Sequence, residues 1–248
     1  MRVSYQPPPD PYQSAAPRPA APAGQYSPDG RWYWNGQQWI PVTMPGPPWA
    51  RPYGPPEGRA AAAVALVAMA TAAAVLFFWG EGIDLIAALT TPSGSGLETA
   101  GAIITLIGEV VFLAGLVGGA IAVPMWMHRV FRNLPALGEQ GMRFSPAWAA
   151  ASWFVPILNL YVPYQVMRVL WSSFGDGRPT PQYWWAAWIG AYVLQIASNE
   201  LMRFSRPLGD VTGVLNDIAT FIAGFLLITL IRRITRRQRD RHDQMQVR

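Results

Sequence analysis

The chain contains no cysteine and no lysine, and only 13% of its 248 residues are charged. The absence of cysteine excludes disulfides, thiolate nucleophiles, iron–sulfur clusters and zinc sites built on cysteine. Soluble domains carry about 25% charged residues, so this low charge, with 51% hydrophobic residues, indicates lipid as the surrounding medium. All nineteen basic residues are arginine, which we attribute to codon bias in a GC-rich bacterial genome.

Signatures of catalysis and of cofactor binding are also missing. The sequence has no H-E-x-x-H, no glycine-rich phosphate loop and no G-x-S-x-G elbow. Its two histidines, His128 and His242, are too far apart in sequence to suggest a metal-ligand set. Seven arginines in the last seventeen residues follow an apolar segment, so cytoplasmic anchoring explains the basic charge better than nucleic-acid binding does. We predict no catalytic residue, no cofactor, no metal and no nucleic-acid partner.

Residues 1–58 are rich in Pro, Gly, Ala and Gln, a composition that cannot bury enough apolar surface to fold. No cleavable signal peptide precedes the first apolar segment, so we expect that segment to be an uncleaved anchor and residues 1–58 to be a disordered cytoplasmic tail.

A small tryptophan-rich hairpin is predicted inside this tail, at residues 27–42. The pair Asn35-Gly36 between aromatic runs favours a type I′ turn, which sets Trp34 opposite Gln37 and Trp32 opposite Trp39. Side chains alternate along a strand, so one face then carries three tryptophans as a candidate surface for a cytoplasmic protein partner. These are Trp32, Trp34 and Trp39.

Five apolar segments follow the tail and form a helical membrane domain at residues 59–236, before a basic cytoplasmic tail at 237–248. They run from Ala60 to Trp79, from Gly101 to Trp126, from Ala147 to Trp171, from Tyr183 to Met202 and from Val211 to Ile231. The first has about twenty residues, which at 1.5 Å per residue just cross a ~30 Å hydrocarbon core. Glu81 and Asp84 are assigned to the loop after it.

The arginines favour an even number of crossings with both termini in the cytoplasm. With four crossings only Arg203 and Arg206 lie outside, whereas five crossings place the seven C-terminal arginines outside, against the positive-inside rule. Pro156 and Pro163 interrupt the third segment, so we expect it to enter and return, with a tip at residues 156–163. A kinked third span, giving five crossings, is the alternative.

Four glycines lie along one side of the second segment, at intervals of seven, seven and four residues. We call Gly101, Gly108, Gly115 and Gly119 the glycine stripe. Small residues at this spacing let helices approach closely, which predicts packing within the chain or in a homo-oligomer through Gly108, Gly115 and Gly119.

Four polar residues are a candidate intramembrane site: Glu109, Glu200, Asp217 and Asn159. A carboxylate in the middle of a membrane helix is costly unless it faces protein or water, so Glu109 is expected to point inward. The cluster is either a site for a proton, an ion or a substrate, or a set of structurally paired groups. Tryptophans at segment ends, including Trp126 and Trp184, are interpreted as an interfacial belt.

The run from Pro124 to Asn133, followed by Phe144 to Met167 and Trp171, resembles a bacterial family of polytopic membrane proteins of unknown function, widespread in high-GC Gram-positive bacteria. Its most specific part is a W-F-x-P-x-x-N-L-x-x-P-Y signature. The matching residues are Trp153, Pro156, Asn159, Pro163 and Tyr164. Asp29 to Trp39 is similar to short tryptophan modules that precede membrane domains in the same bacteria. The resemblance implies a membrane-protein class and no assigned activity.

These observations predict an all-α membrane protein of four transmembrane helices plus one broken or re-entrant segment, behind a disordered Pro-rich tail. The predicted role is a non-enzymatic scaffold or regulatory protein in the bacterial plasma membrane that recruits a partner through its tail. The alternative is a small transporter or channel component that uses Glu109 and the broken third segment.

Overall fold

The computed structural model describes residues 25–27, 32–34, 38–41, 52–90, 95–139, 142–175, 177 and 180–247. The chain divides into two compact units, Met1–Pro45 and Gly46–Arg248, and each is described by itself. The predicted disorder of residues 1–24 and the turn at Asn35-Gly36 fall outside the described residues.

The first unit holds a three-stranded antiparallel sheet of β1 (Gln25–Tyr26), β2 (Trp32–Trp34) and β3 (Trp39–Pro41). Trp34 pairs with Trp39 and Trp32 with Pro41, so the predicted pairing of Trp34 with Gln37 is wrong by two residues. The observed register sets two indoles directly opposite each other, with ring centroids 5.5 Å apart, which is a favourable cross-strand contact. A two-residue shift preserves side-chain alternation, so the three tryptophans still share one face.

The second unit is helical. Its long helices are α1 (Glu57–Thr90), α2 (Gly96–Arg132), α5 (Pro181–Met202) and α6 (Arg206–Gln246). Ser95 caps α2 by accepting a hydrogen bond from the Glu98 backbone nitrogen. Among the described residues three helices are long and apolar enough to cross a membrane, namely Glu57–Ala87, Gly96–Arg132 and Arg206–Gln246. The helix α5, which is the fourth predicted span, is less apolar and is not among these three.

Two helices are longer than the apolar segments from which they were predicted. Glu81 and Asp84 lie inside α1, because this helix continues about three turns beyond Trp79, where the loop was predicted to begin. The basic residues after Ile231 continue α6 to Gln246, so the predicted tail at 237–248 is largely helical. Arginine and glutamine are good helix formers, so polarity alone does not end a helix.

The third apolar segment is interrupted, as predicted. It divides into α3 (Pro146–Ala151), a 3₁₀ turn at Leu158–Leu160 and α4 (Val162–Phe174). Between the first two pieces Ile157 has φ 67°, a left-handed conformation that is strained for a β-branched residue. Backbone of this kind cannot continue an α-helix, and Pro163 starts α4 in the position that proline favours.

The long helices form a layer in the order α2, α1, α6, α5. α1 packs against α2 on one side and α6 on the other, and α5 packs against α6. The glycine stripe faces α1, where Gly115 lies opposite Ala70 and Gly108 opposite Phe77. All four stripe residues are buried, so this face is filled within the chain and is not available for the predicted homo-oligomer.

A hydrophobic core gathers at one end of this layer. It contains the start of α1 and α5, the end of α2, all of α4 and the C-terminal half of α6, with representative residues Ala60, Phe131, Leu170 and Ile231. α1 is therefore antiparallel to both of its neighbours. Trp126 and Trp184 belong to this core and are 0% and 1% exposed, so their assignment to an interfacial belt is wrong.

Two buried amides join three parts of the chain at this end. Asn133 donates to the Gly54 carbonyl at 2.8 Å and to Oε1 of Gln238 at 3.2 Å, and its Oδ1 accepts from the Gly54 nitrogen at 3.1 Å. Gln238 donates to the Val130 carbonyl at 2.9 Å. Each amide is at most 1% exposed, and leaving one unpaired costs about 1–3 kcal/mol.

Tyr53 extends this contact between the two ends of the second unit. Its ring stacks on His242, with centroids 3.9 Å apart. Burial, with smaller contributions from the Glu57 and Asp243 carboxylates, raises the pKa of Tyr53 to about 12, so the phenol stays protonated near neutral pH. Tyr53 and His242, which were assigned to the two tails, thus pack together. The unit that contains the helices begins at Gly46.

Replacing Gly115 with Ala should destabilise the second unit. An added Cβ would lie 2.5 Å from the Ala70 backbone nitrogen, and overpacking of this kind costs about 1–3 kcal/mol. Gly82→Ala is the matched control, because nothing lies within 4 Å of its added Cβ. Unfolding by sodium dodecyl sulfate in mild detergent micelles measures both variants. Equal midpoints would contradict the close approach of α1 and α2.

Candidate functional site

A cavity of about 810 Å³ opens between α2 and α5. Within the described part of the chain these two helices do not pack along each other, because α1 and α6 lie between them in the layer. Trp153, Phe154 and Asn159 of the interrupted segment also line this cavity. The volume falls in the range of pockets that bind small organic ligands.

Two carboxylates that line the cavity come from α1 and α6, namely those of Glu81 and Asp217. A Cβ added to Gly213 would lie 2.6 Å from Oε2 of Glu81, so the Glu81 carboxylate rests against the α6 backbone. Asp210 and Asp217 are three residues before and four residues after Gly213, on the same face of α6. Glu81 therefore lies beside both aspartates, and the missing side chain at position 213 makes the room.

Asp217 is the most enclosed of the acidic residues that line the cavity. It is 4% exposed, and its Oδ2 has no hydrogen-bond partner among the described residues. Oε2 of Glu81 and Oγ1 of Thr105, which also line the cavity, are likewise buried without a partner there. Buried polar atoms are almost always paired, so such a group of unpaired atoms beside an open cavity indicates a place for water or a ligand.

Glu109 lines the opposite wall, on α2. It is exposed on its helix, and no hydrogen bond or ion pair joins it to another described residue. The glycine stripe packs on α1, and Glu109 is the residue that follows Gly108 of that stripe. This offset turns its carboxylate away from the helix contact and toward the gap.

An amide pair from α5 and α6 completes the polar lining. Asn216 donates to Oε1 of Gln195 at 3.0 Å, and Gln195 donates to Oδ1 of Asn199 at 3.1 Å. Gln195 and Asn216 both line the cavity. These two amides thus place polar atoms on the cavity wall next to Asp217.

Three of the four predicted polar residues meet at this cavity, namely Glu109, Asn159 and Asp217. Glu200 does not, because it pairs with Arg203 at 3.3 Å on the exposed end of α5. Sequence reasoning missed Glu81, which it assigned to a loop. The stretch from Trp79 to Thr90 contains no proline that would end a helix. This absence could have indicated that the first helix continues through Glu81.

The residues of the signature have structural as well as cavity-lining positions. Trp153 donates from its ring nitrogen to Sδ of Met127 at 3.4 Å, and Tyr164 stacks on Trp185 with centroids 5.7 Å apart. Pro163 is buried at the start of α4, while Pro156 is exposed. Only Trp153 and Asn159 of this set line the cavity.

Across the described ranges, no group of three or more His, Asp or Glu side chains could hold a metal ion. The candidate partner surface belongs to the first unit, in which Trp32 and Trp39 are 43% and 46% exposed and Trp34 is half-buried.

Comparison with known proteins supports the expected family type. No curated protein and no solved structure matches the chain. A family model described as Domain of unknown function (DUF4328) matches residues 90–236, which is more than half of the chain. The match covers α2, the interrupted segment, α5 and the greater part of α6, and therefore most of the cavity. The prediction of an uncharacterised family is confirmed, and the chain belongs to the DUF4328 family of domains of unknown function.

Proposed function

We propose that this chain is a multi-pass protein of the bacterial plasma membrane that binds a solute in the groove between α2 and α5, as a small transporter or channel component. The observation that carries the proposal is the cavity beside Asp217, whose Oδ2 is buried without a partner among the described residues. Asp217 lies about six residues, roughly 9 Å, inside the apolar part of α6. Ionisable groups at such depth mark ion or solute pathways.

The interrupted segment supports the same proposal. Irregular backbone at membrane depth is tolerated where it lines a cavity, and broken helices form the binding sites of many transporters. Asn159 and Trp153 come from this irregular stretch and reach the groove. The strained backbone at Ile157 lies between them, and strain of this kind is often kept at binding sites.

The groove should contain water, which spin labels at two adjacent positions of α5 can detect. Tyr192 lines the cavity and Val193 does not, although they are 55% and 57% exposed and differ in depth by about 1.5 Å. We expect a nitroxide on Tyr192→Cys to collide more often with a water-soluble nickel complex, relative to oxygen, than one on Val193→Cys. Power-saturation spectroscopy in lipid nanodiscs measures this ratio, and equal ratios would contradict an open groove.

The proposed topology has four crossings, α1, α2, α5 and α6, with both termini in the cytoplasm. The core at one end of the layer supports it, because α3 and α4 pack there with the starts of α1 and α5. α5 has 22 residues, about 33 Å of helix, which is long enough to cross despite its lower hydropathy. The interrupted segment then enters and leaves on the cytoplasmic side.

Single cysteines test this topology without removing any native thiol, since the chain has none. Ser93→Cys and Ser205→Cys should react with a membrane-impermeant maleimide in intact cells, and Ser173→Cys only after lysis. Five crossings would reverse the last two results. Labelling at position 173 in intact cells, with position 205 silent, would refute the re-entrant segment.

Partner recruitment by the first unit is the second proposed function. It rests on the exposed rings of Trp32 and Trp39, since aromatic residues are enriched in binding hot spots. We expect deletion of residues 27–42 to abolish capture of cytoplasmic proteins in affinity purification from native membranes, and Glu109→Gln to leave it unchanged. Loss of capture in Glu109→Gln, with full capture in the deletion, would instead assign the interaction to the membrane domain.

A further inference from the structure

The walls of the groove combine acidic groups with aromatic rings. Among the cavity-lining residues three are acidic, Glu81, Glu109 and Asp217, and none is basic. They come from α1, α2 and α6, and α5 contributes no charge to the lining. We propose that the ligand is a lipophilic organic cation whose charge is matched by Asp217; this inference rests on the proposed solute-binding groove and adds its substrate class.

The charge argument starts from the surroundings of Asp217. Its Oδ2 is buried and unpaired among the described residues, and another carboxylate of the lining, that of Glu81, rests against Gly213, one turn before Asp217 on α6. Two buried carboxylates without a basic partner repel each other and lack solvation. A cation in the groove would relieve both penalties, whereas an anion would add a third negative charge.

Aromatic rings on α5 supply the second half of the site. Trp188 and Tyr192 line the cavity with nearly parallel rings, 6.4 Å apart and inclined by 12°. Trp185 stacks on Trp188 at 4.9 Å, and Tyr164 stacks on Trp185 at 5.7 Å. This ladder holds the Trp188 ring in place, and an indole face within about 6 Å of a cation is the strongest aromatic partner for it.

The remaining lining decides between an inorganic and an organic cation. No set of three acidic or histidine ligands converges on one point within the described ranges, so nothing there replaces the water shell of a metal ion. The walls also include Phe77, Phe112 and Leu116, and a cavity of about 810 Å³ is far larger than a bare ion. A ligand that pairs with Asp217 and fills this space must carry a large apolar body.

The test measures binding of radiolabelled tetraphenylphosphonium to the purified full chain in nanodiscs, and a separate assay measures radiolabelled tetraphenylborate, which has matched size and opposite charge. We expect saturable binding of tetraphenylphosphonium and no saturable binding of tetraphenylborate. Asp217→Asn should weaken the binding of tetraphenylphosphonium by at least about tenfold, because the substitution removes the negative charge that matches the bound cation. Asp240→Asn is the control, since it is the same substitution on α6 outside the cavity and should bind as the native chain does.

Three further variants keep the result independent of folding. Asp217→Glu should restore most of the binding, and Trp188→Leu should weaken binding by about threefold or more while Trp188→Phe retains most of it. Native affinity in Asp217→Asn, or saturable binding of tetraphenylborate equal to that of the cation, would overturn the proposal. Absence of saturable binding would also overturn the ligand class, and the spin-label ratio at positions 192 and 193 would then separately decide whether the groove exists.

Discussion

The close approach of α1 to both of its neighbours is the constraint on which the second unit depends. On one side the glycine stripe of α2 lies against Ala70 and Phe77, and on the other Gly213 and Gly224 of α6 lie against Glu81 and Thr71. Each glycine removes the side chain that would otherwise hold the backbones apart. Because α1 and α6 fill the middle of the layer, α2 and α5 are left at its two edges, and the space between them becomes the groove.

This arrangement also explains how acidic side chains are accommodated among apolar helices. Glu81 needs the empty position at Gly213, and Asp84 in the same way lies against Gly101. The same glycines that permit close packing therefore make room for carboxylates between the helices. Of these two carboxylates, Glu81 faces the groove, where water or a ligand can solvate it.

The opposite end of the layer is closed and uses different chemistry. There Asn133 and Gln238 satisfy each other and the backbone, Trp126 donates to Thr235 at 3.0 Å, and large apolar side chains fill the remaining space. The hydrogen bonds of Asn133, Gln238 and Trp126 hold this end together, since their buried donors would lose their partners if the helices moved apart. The second unit thus has one end joined by buried side-chain hydrogen bonds, and the interrupted segment reaches from that end to the groove, where Glu81 and Asp217 have unpaired oxygens.

Composition and periodicity determined much of this protein. The apolar segments, the glycine stripe as a packing face, the break at Pro156 and Pro163 and the acidic residues Glu109 and Asp217 all follow from local patterns, because helix length, helix breaking and the cost of buried charge are properties of short stretches. The register of the tryptophan sheet, the extension of α1 through Glu81 and the burial of Trp126 and Trp184 were decided only by tertiary contacts. A sequence does not reveal which helix will pack against a given face of another helix. For that reason the partner of the stripe, the separation of Glu200 from the cavity and the gap between α2 and α5 could be determined only from the packed helices.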